Sequence, residues 1–216
     1  KYKETVLLLF LLKCILKKEK QKLNLRLQKE KNSMIKEQAK KIGIGIVIDQ
    51  DILENQANRI YLGIGSNLGN RRNKIEQAKC ELSLRNIRLV KSSNFYESLS
   101  WPDQSKPKYL NIVLEVISDL RPLELLKVSK DIEISLGRIK SYKNAPRECD
   151  IDIIDYKGKK ISQKINLPHP RMHNRNFVLF PLFELNKNWK HPISKDHIKK
   201  LIISLPNRDI RSIKQI

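Results

Sequence analysis

Apolar and polar residues follow a regular pattern from Arg59 onward. Short apolar runs bounded by turn residues are typical of β-strands, and longer segments with a helical period are typical of helices. Pro122 fits the first turn of a helix, where its missing N–H leaves no hydrogen bond unmade. The pattern predicts strands at 59–65, 87–96 and 109–117, helices at 71–84 and 122–136, and a further strand that begins at Asp150.

The order of these elements predicts an α+β fold. Strand, helix, strand, strand, helix, strand is the order of a ferredoxin-like split βαβ sandwich, in which helices pack on one face of an antiparallel sheet. The segments at 177–185 and 193–205 come after the last of these strands. They are expected to add peripheral C-terminal helices and loops.

Residues 1–57 follow a different pattern. An apolar run at 6–16, interrupted by Lys13, leads into a Lys-rich stretch, and eleven residues are too few to cross a bilayer as a helix. A basic amphipathic helix that contacts a membrane or a partner is an alternative. The chain opens on Lys rather than Met, and Met34 is a candidate initiator. We expect 1–57 to be a partly helical extension of low order and 58–216 to be the functional domain.

The net charge of +21 suits a polyanionic ligand. Residues 1–41 carry thirteen Lys or Arg against four Glu, so much of the excess lies outside the predicted core. A general bias toward Lys, Ile and Asn explains the charge equally well. A basic nucleic-acid-binding module remains an alternative, but it would need aromatic side chains exposed on its strands for base stacking, and strand aromatics are few. The basic charge still suits a nucleotide substrate.

The cysteines and histidines predict no zinc site. Cys14, Cys80 and Cys149 show no Cys-x-x-Cys spacing, which predicts free thiols in a reducing cytoplasm. His169 and His173 have helical spacing, but prolines on both sides of the first disfavour a helix there.

Two carboxylates on one strand give the strongest sign of chemistry. Asp150 and Asp152 point the same way along a strand, while Ile151 and Ile153 point the other way. At about 6 to 7 Å, two such charges repel by roughly 2 to 3 kcal/mol at an effective dielectric constant near 20. Magnesium, which favours carboxylate and phosphate oxygens, would remove that repulsion. An edge strand with solvent-facing aspartates is the alternative, and many cationic residues nearby favour phosphate binding instead.

Seven motifs connect the chain to a known family. They are Gly65–Gly69, Ser93–Ser98, Tyr109–Asn111, Leu136–Arg138, Pro146–Asp152, Leu167–Arg171 and Arg175–Leu179. In this order, over about residues 59–192, the chain resembles the 6-hydroxymethyl-7,8-dihydropterin pyrophosphokinase family of folate biosynthesis. The resemblance implies transfer of diphosphate from ATP to the pterin hydroxymethyl group, with release of AMP.

The resemblance also assigns roles to residues. It implies two Mg²⁺ ions held by Asp150 and Asp152, with Arg138 and Arg147 also acting in catalysis. The positions that match the family's ATP site are Glu133 near the adenosine, Ile153 packed on the base, and the cationic residues Arg138, Arg147, Lys164, His169 and Arg175. Those that match its pterin site are Ser98, Leu99, Trp101, Tyr109, Asn111 and Phe177. Small-molecule substrates without nucleic acid or membrane, and a cytoplasmic monomer, are expected.

Two loops depart from the family pattern. Asn144 and Ala145 stand where Trp-Gly is common, so it is open whether the loop at 143–145 closes over ATP. The pterin loop is less rich in proline than in the family. Leu99 and Trp101 are therefore alternatives for the residue that covers the pterin ring opposite Phe177.

Overall fold

The computed structural model describes residues 58–100, 103–139 and 145–216, together with scattered helical positions between Leu16 and Met34. Its contacts divide the chain into two units, Lys1–Asn58 and Arg59–Ile216. All the elements named below belong to the second unit. The predictions made for most of residues 1–57, for Trp101 and for the loop at 143–144 lie outside the described residues.

The described part of the second unit is built on an antiparallel sheet. Its strands are β1 (Ile60–Ser66), β2 (Arg88–Ser92), β3 (Tyr96–Ser98), β4 (Tyr109–Ile117), β5 (Asp150–Tyr156) and β8 (Lys214–Gln215). The order across the sheet is β5-β1-β4-β3-β8, and β2 also pairs with β4. A small hairpin is formed by β6 (Ile161–Ser162) and β7 (Asn166–Leu167). The mixed α/β architecture with an antiparallel sheet is thus as predicted.

Five helices of the described ranges pack around this sheet. They are α1 (Arg71–Leu84), α2 (Pro122–Ser135), α3 (Asn176–Leu185), α4 (Ile198–Ile203) and α5 (Asn207–Ser212), with a 3₁₀ turn at Met172–Asn174. The Asn70 side chain caps α1 by accepting a hydrogen bond from the Asn73 N–H at 3.1 Å. Pro122 occupies the first turn of α2, as predicted. Both predicted helices are confirmed, although α2 ends one residue earlier.

The single strand predicted at 87–96 is wrong. The chain forms β2 and β3, which both pair with β4. Between them, the Ser93 hydroxyl accepts the Val113 N–H at 3.0 Å, and the Asn94 N–H donates to the Glu184 carboxylate at 3.0 Å. The Ser93 N–H still donates to the Val113 carbonyl at 3.0 Å, but the side-chain contacts take the place of other ladder bonds, so the strand is interrupted there. The predicted strand at 109–117 is confirmed by β4.

The sheet is covered on both faces, whereas helices were predicted on one. Ile60, Leu62 and Ile64 of β1 belong to a core with α1 and α2. Tyr61, between them, belongs to a second core that includes Leu179 and the C-terminal helices. Successive strand residues point to opposite faces, so apolar residues at every position require cover on both sides. The C-terminal helices are therefore part of a core rather than peripheral.

Two further findings concern the cysteines and the membrane. Cys149 is a free, buried thiol, as predicted. Within the described ranges, no helix has both the length and the apolar character required to span a membrane.

Helix α2 provides a matched test of the first core. Ile132 is fully buried against the sheet, and Ile134, two residues later on the same helix, is 65% exposed. We expect Ile132→Ala to lower the free energy of unfolding by about 2 to 5 kcal/mol, because it removes buried methyl groups and leaves a cavity. Ile134→Ala should change it little. Urea unfolding followed by circular dichroism measures both, and similar values for the two variants would contradict this packing.

Candidate active site

A cavity of about 250 Å³ opens on the sheet face that α3 also covers. Its floor is the backbone of β1, where Gly63 pairs with Asp152 and Gly65 pairs with Asp150. A Cβ atom at Gly65 would lie 3.0 Å from the Asn111 side-chain oxygen, and larger side chains would fill the space beside the aspartates. Glycine at these two positions keeps the cavity open.

The two aspartates of β5 enter this cavity side by side, as predicted. Asp150 and Asp152 are both partly exposed and line the cavity, while Ile151 between them is buried in the opposite core. The alternation of side chains along the strand therefore places both carboxylates on the open side. Neither carboxylate simply faces bulk solvent.

Arginines neutralise the two carboxylates. Arg138 Nη1 donates to Asp150 Oδ1 at 2.8 Å, and Arg147 Nη1 lies 3.2 Å from the same oxygen. Arg175 Nη1 lies 3.6 Å from Asp152 Oδ2. Burial alone would raise the pKa of Asp150, but the nearby charges of Arg147, Lys130 and Arg138 outweigh it and hold that pKa below its ordinary value. Asp150 is therefore ionised at neutral pH.

A third carboxylate, Glu133 of α2, lies beneath the site and is 1% exposed. Its Oε1 accepts the Ile151 N–H at 2.6 Å and the Lys130 ammonium at 2.7 Å, and its Oε2 accepts from Arg138. Burial raises the pKa of Glu133 above its ordinary value, although Lys130 and the Ile151 N–H act against this shift. Glu133 thus joins α2 to the strand segment that carries both aspartates and orients Arg138.

The turn after β1 fixes Arg147. Asn67, which is buried, accepts the Arg147 N–H on its Oδ1 at 2.8 Å and donates from its own N–H to the Arg147 carbonyl at 3.1 Å. Its Nδ2 donates to the Pro107 carbonyl at 3.1 Å. The Asn67 side chain therefore holds the segment before β5 against the turn, because an amide group both donates and accepts.

His169 and Cys149 are both neutral at pH 7. Burial lowers the pKa of His169 below its ordinary value, with Asp152 acting in the opposite direction. His169 Nδ1 accepts the Arg171 N–H at 3.2 Å, which leaves Nε2 to carry the ring proton. Burial, together with the charge of Glu133, raises the pKa of the Cys149 thiol to about 12, so Cys149 is no nucleophile.

Aromatic and amide groups form the other end of the cavity. Tyr109 and Phe177 line it, and the Arg175 guanidinium lies 5.4 Å from the centre of the Phe177 ring. Asn111 Nδ2 donates to the Ser98 hydroxyl at 3.0 Å, which fixes the orientation of the Asn111 amide. This end can hold a flat polar ring.

The cavity brings together most of the residues predicted from the sequence. Those that line it are Ser98, Leu99, Tyr109, Asn111, Arg138, Arg147, Asp150, Asp152, His169, Arg175 and Phe177. They come from segments that are far apart in sequence, and the antiparallel pairing of β1, β4 and β5 places them side by side.

Three predicted residues do not line this cavity. Ile153 is 4% exposed and packs in the opposite core, because it alternates with the aspartates. Lys164 is exposed in the turn between β6 and β7. Glu133 lies below the cavity wall rather than on it. Trp101 lies outside the described residues.

Some residues that line the cavity were not among the predicted site residues, although the sequence contains a pattern that indicates them. Ile154 lines the cavity because it continues the alternation of Asp150 and Asp152. Lys130 lies three residues before Glu133, a spacing that places both on one helix face. Arg171 also lines the cavity, and its position in the Leu167–Arg171 motif marked it.

The donor set fits Mg²⁺ with phosphate. Two carboxylates that share an open face offer oxygen ligands, and Mg²⁺ usually takes only one or two from protein and fills its other positions with water and phosphate. Among the described residues, no group of three or more His, Cys, Asp or Glu side chains is arranged to hold a metal ion by itself. The surrounding guanidinium groups suit phosphate oxygens.

Fold and site together define an α/β protein with a cation-lined cavity suited to phosphate groups and a flat polar ring. The family model described as 7,8-dihydro-6-hydroxymethylpterin-pyrophosphokinase (HPPK) matches residues 61–187, more than half of the chain. The chain therefore belongs to this family, which is a family of transferase enzymes. The resemblance identified from the seven motifs is confirmed.

Curated relatives agree with this assignment. The chain is 39% identical over 142 residues to the 2-amino-4-hydroxy-6-hydroxymethyldihydropteridine pyrophosphokinase of Aquifex aeolicus, covering 65% of this chain and 88% of that protein. It is 35% identical over 166 residues to the folic acid synthesis protein fol1 of Pneumocystis carinii, covering 76% of this chain. It spans only 22% of the length of the Pneumocystis protein.

Solved structures share the fold. An HPPK-DHPS structure in complex with substrates has a TM-score of 0.59 at 14% identity, covering 73% of this chain and 46% of the other. Plasmodium falciparum HPPK-DHPS A437G/K540E with pterin and p-hydroxybenzoate has a TM-score of 0.57 at 14% identity, covering 74% and 47%. At such identities, the likeness concerns the fold alone.

Glu133 provides a test of the charge balance under the site. Glu133→Gln keeps the shape but removes the charge that offsets Lys130 and Arg138. We expect the free energy of unfolding to fall by about 2 to 3 kcal/mol, less than for a fully buried pair because both cations are partly exposed. The control is Glu124→Gln, which breaks an exposed pair with Arg121 on the same helix. Urea unfolding should show little change there, and an equal loss in both variants would contradict the role given to Glu133.

Proposed function

We propose that residues 58–216 form a pyrophosphokinase domain of folate biosynthesis. It transfers diphosphate from ATP to the hydroxymethyl group of 6-hydroxymethyl-7,8-dihydropterin and releases AMP. The observation that carries this proposal is the pairing, in one cavity, of Asp150 and Asp152 with arginines at one end and of Tyr109 and Phe177 at the other. The relatives named pyrophosphokinases support it.

The phosphate end binds ATP. Arg138, Arg147 and Arg175, which now pair with the aspartates, are the groups that would contact phosphate oxygens. Asp150 and Asp152 would hold two Mg²⁺ ions, which supply neutralisation and alignment of the phosphate groups when bound. Neutral His169, with its proton on Nε2, can donate a hydrogen bond to a phosphate. Lys130 adds a further positive charge at this end.

The pterin end binds the second substrate. Tyr109 and Phe177 would lie against the ring, and the Asn111 amide, oriented by Ser98, would bond the amide edge of the pterin. The hydroxymethyl oxygen would then face the β-phosphorus of ATP. Its attack forms a bond to the β-phosphorus and breaks the bond from that phosphorus to the oxygen that bridges to the α-phosphate, which leaves with AMP, while the hydroxyl proton is released to solvent. Positioning and charge neutralisation drive this transfer, so no covalent intermediate on the protein is needed.

The finer description of the fold is also a proposal. We describe the second unit as a ferredoxin-like sandwich, and the order β5-β1-β4-β3 of its main strands supports this. A cytoplasmic monomer without nucleic-acid or membrane partners fits an active site formed within one chain.

Product analysis tests the reaction. The purified chain, incubated with ATP, Mg²⁺ and 6-hydroxymethyl-7,8-dihydropterin, should form AMP and the pterin diphosphate in equal amounts, as measured by ion-exchange chromatography. AMP should not form when the pterin is omitted. Formation of ADP in place of AMP would indicate transfer of a single phosphoryl group and would overturn the proposal.

Substitution of the aspartates tests the metal assignment. Asp150→Asn and Asp152→Asn should each lower kcat by roughly a thousandfold or more, because the ligand charge for Mg²⁺ is lost. Asp119→Asn, at an exposed position in the loop before α2, is the control and should retain activity. Circular dichroism establishes that each variant is folded. Undiminished turnover in either active-site variant would exclude these carboxylates as essential metal ligands.

Deletion of residues 1–57 tests the domain assignment. Among the described residues, those that line the cavity all lie after this segment. We therefore expect the shortened chain to keep kcat and both KM values within about twofold of the full chain, since about 0.5 kcal/mol corresponds to roughly twofold. A folded but inactive product would show that the segment belongs to the catalytic unit.

A further inference from the structure

Phe177 lies between two cavities. A second cavity, of about 330 Å³, borders Phe177 and Leu99, which also line the first cavity. Its far wall includes Asp209 and Ser212 of α5. Phe177 packs against the second core and also borders open space in both cavities. The attachment of the start of α3 therefore also affects its position.

Asn176 provides that attachment. Its side-chain Oδ1 accepts the Phe177 N–H at 2.7 Å. Its Nδ2 donates to the Asp209 carbonyl at 2.6 Å and to the Ser212 hydroxyl at 3.2 Å. Asn176 is only 9% exposed, so these bonds form largely away from water. One amide group thus joins the start of α3 to α5.

Helix α5 is itself attached to the sheet. The chain after it forms β8, which pairs with β3, and the Ile216 N–H donates to the Phe95 carbonyl at 2.9 Å. The Tyr96 hydroxyl lies 3.3 Å from Gln215 Oε1. β3 ends at Ser98, which lines the first cavity. The segment 207–216 therefore contacts two of the chain segments that form the pterin end, the start of α3 and β3.

We propose that Asn176 is a positioning residue that, through α5, holds Phe177 in place for the pterin ring. The inference rests on the proposed function, since it concerns the same pterin site. It adds a role for a segment that lies beyond the residues matched by the family model, which end at 187. Because Phe177 is held in place before the pterin binds, binding does not lose the conformational entropy of ordering this residue.

The test uses variants that change the bonds to α5. Asn176→Asp keeps an oxygen for the Phe177 N–H but loses the amide donors to α5. Ser212→Ala removes one acceptor on the α5 side without changing any residue of the first cavity. Asn207→Ala, at an exposed position of the same helix, is the control. Thermal unfolding shows whether each variant is folded. If Asn176→Asp does not fold, Ser212→Ala provides the test.

Binding of the two substrates should change unequally. In the full chain, we expect Asn176→Asp to raise the Kd of the pterin by about tenfold, the effect of losing roughly 1.4 kcal/mol of hydrogen bonding. Ser212→Ala should raise it by about threefold, and Asn207→Ala should leave it unchanged. The Kd of a non-hydrolysable ATP analogue should stay within about twofold in all three. An unchanged pterin Kd, or an equal loss for both ligands, would overturn the proposal.

Hydrogen exchange separates this inference from the proposed function. In the unliganded protein, Asn176→Asp should speed amide exchange at Phe177 and across 207–212 by about tenfold, because the opening of both segments is coupled. Exchange in β1 should not change. If the wild-type chain formed no AMP, the proposed function would fail. The exchange at Phe177 would still show whether Asn176 holds this residue in place. Unaltered exchange at Phe177 would show that Asn176 does not hold it.

Discussion

The charge balance around Asp150 and Asp152 is the constraint on which the site depends. Two carboxylates side by side over a glycine floor would repel each other, and Arg138, Arg147 and Arg175 offset that repulsion. The cations hold the pKa of the more buried carboxylate below its ordinary value. In the proposed function, the same cations would be available for phosphate oxygens once a metal ion neutralised the aspartates.

Buried hydrogen bonds connect the residues of the cavity to the surrounding helices and turns. Glu133 joins α2 to the backbone between the two aspartates, and Asn67 joins the turn after β1 to Arg147. At the other end of the cavity, Asn176 joins α3 to α5. Each of these side chains is buried and hydrogen-bonded through both of its terminal polar atoms, so each couples the packing of a helix or turn to the position of a residue in the cavity.

Much of the fold and site could be predicted from the sequence because it depends on local periodicity. The bounds of α1 and β4 follow from apolar spacing, and the shared face of Asp150 and Asp152 follows from strand alternation. The same alternation, applied one step further, also places Ile154 on the cavity side. The division of the 87–96 segment was not foreseeable, because it depends on Glu184, about ninety residues away.

The sequence by itself determined the helices α1 and α2, the strand β4, the carboxylate pair and the family, because these depend on spacing between near neighbours and on short motifs. Only the tertiary structure decided that helices cover both faces of the sheet, that Glu133 lies beneath the cavity, and that α5 holds the start of α3. These features depend on contacts between residues distant along the chain. Side-chain periodicity shows that a face must be buried, but the packing of the whole unit decides which segment buries it.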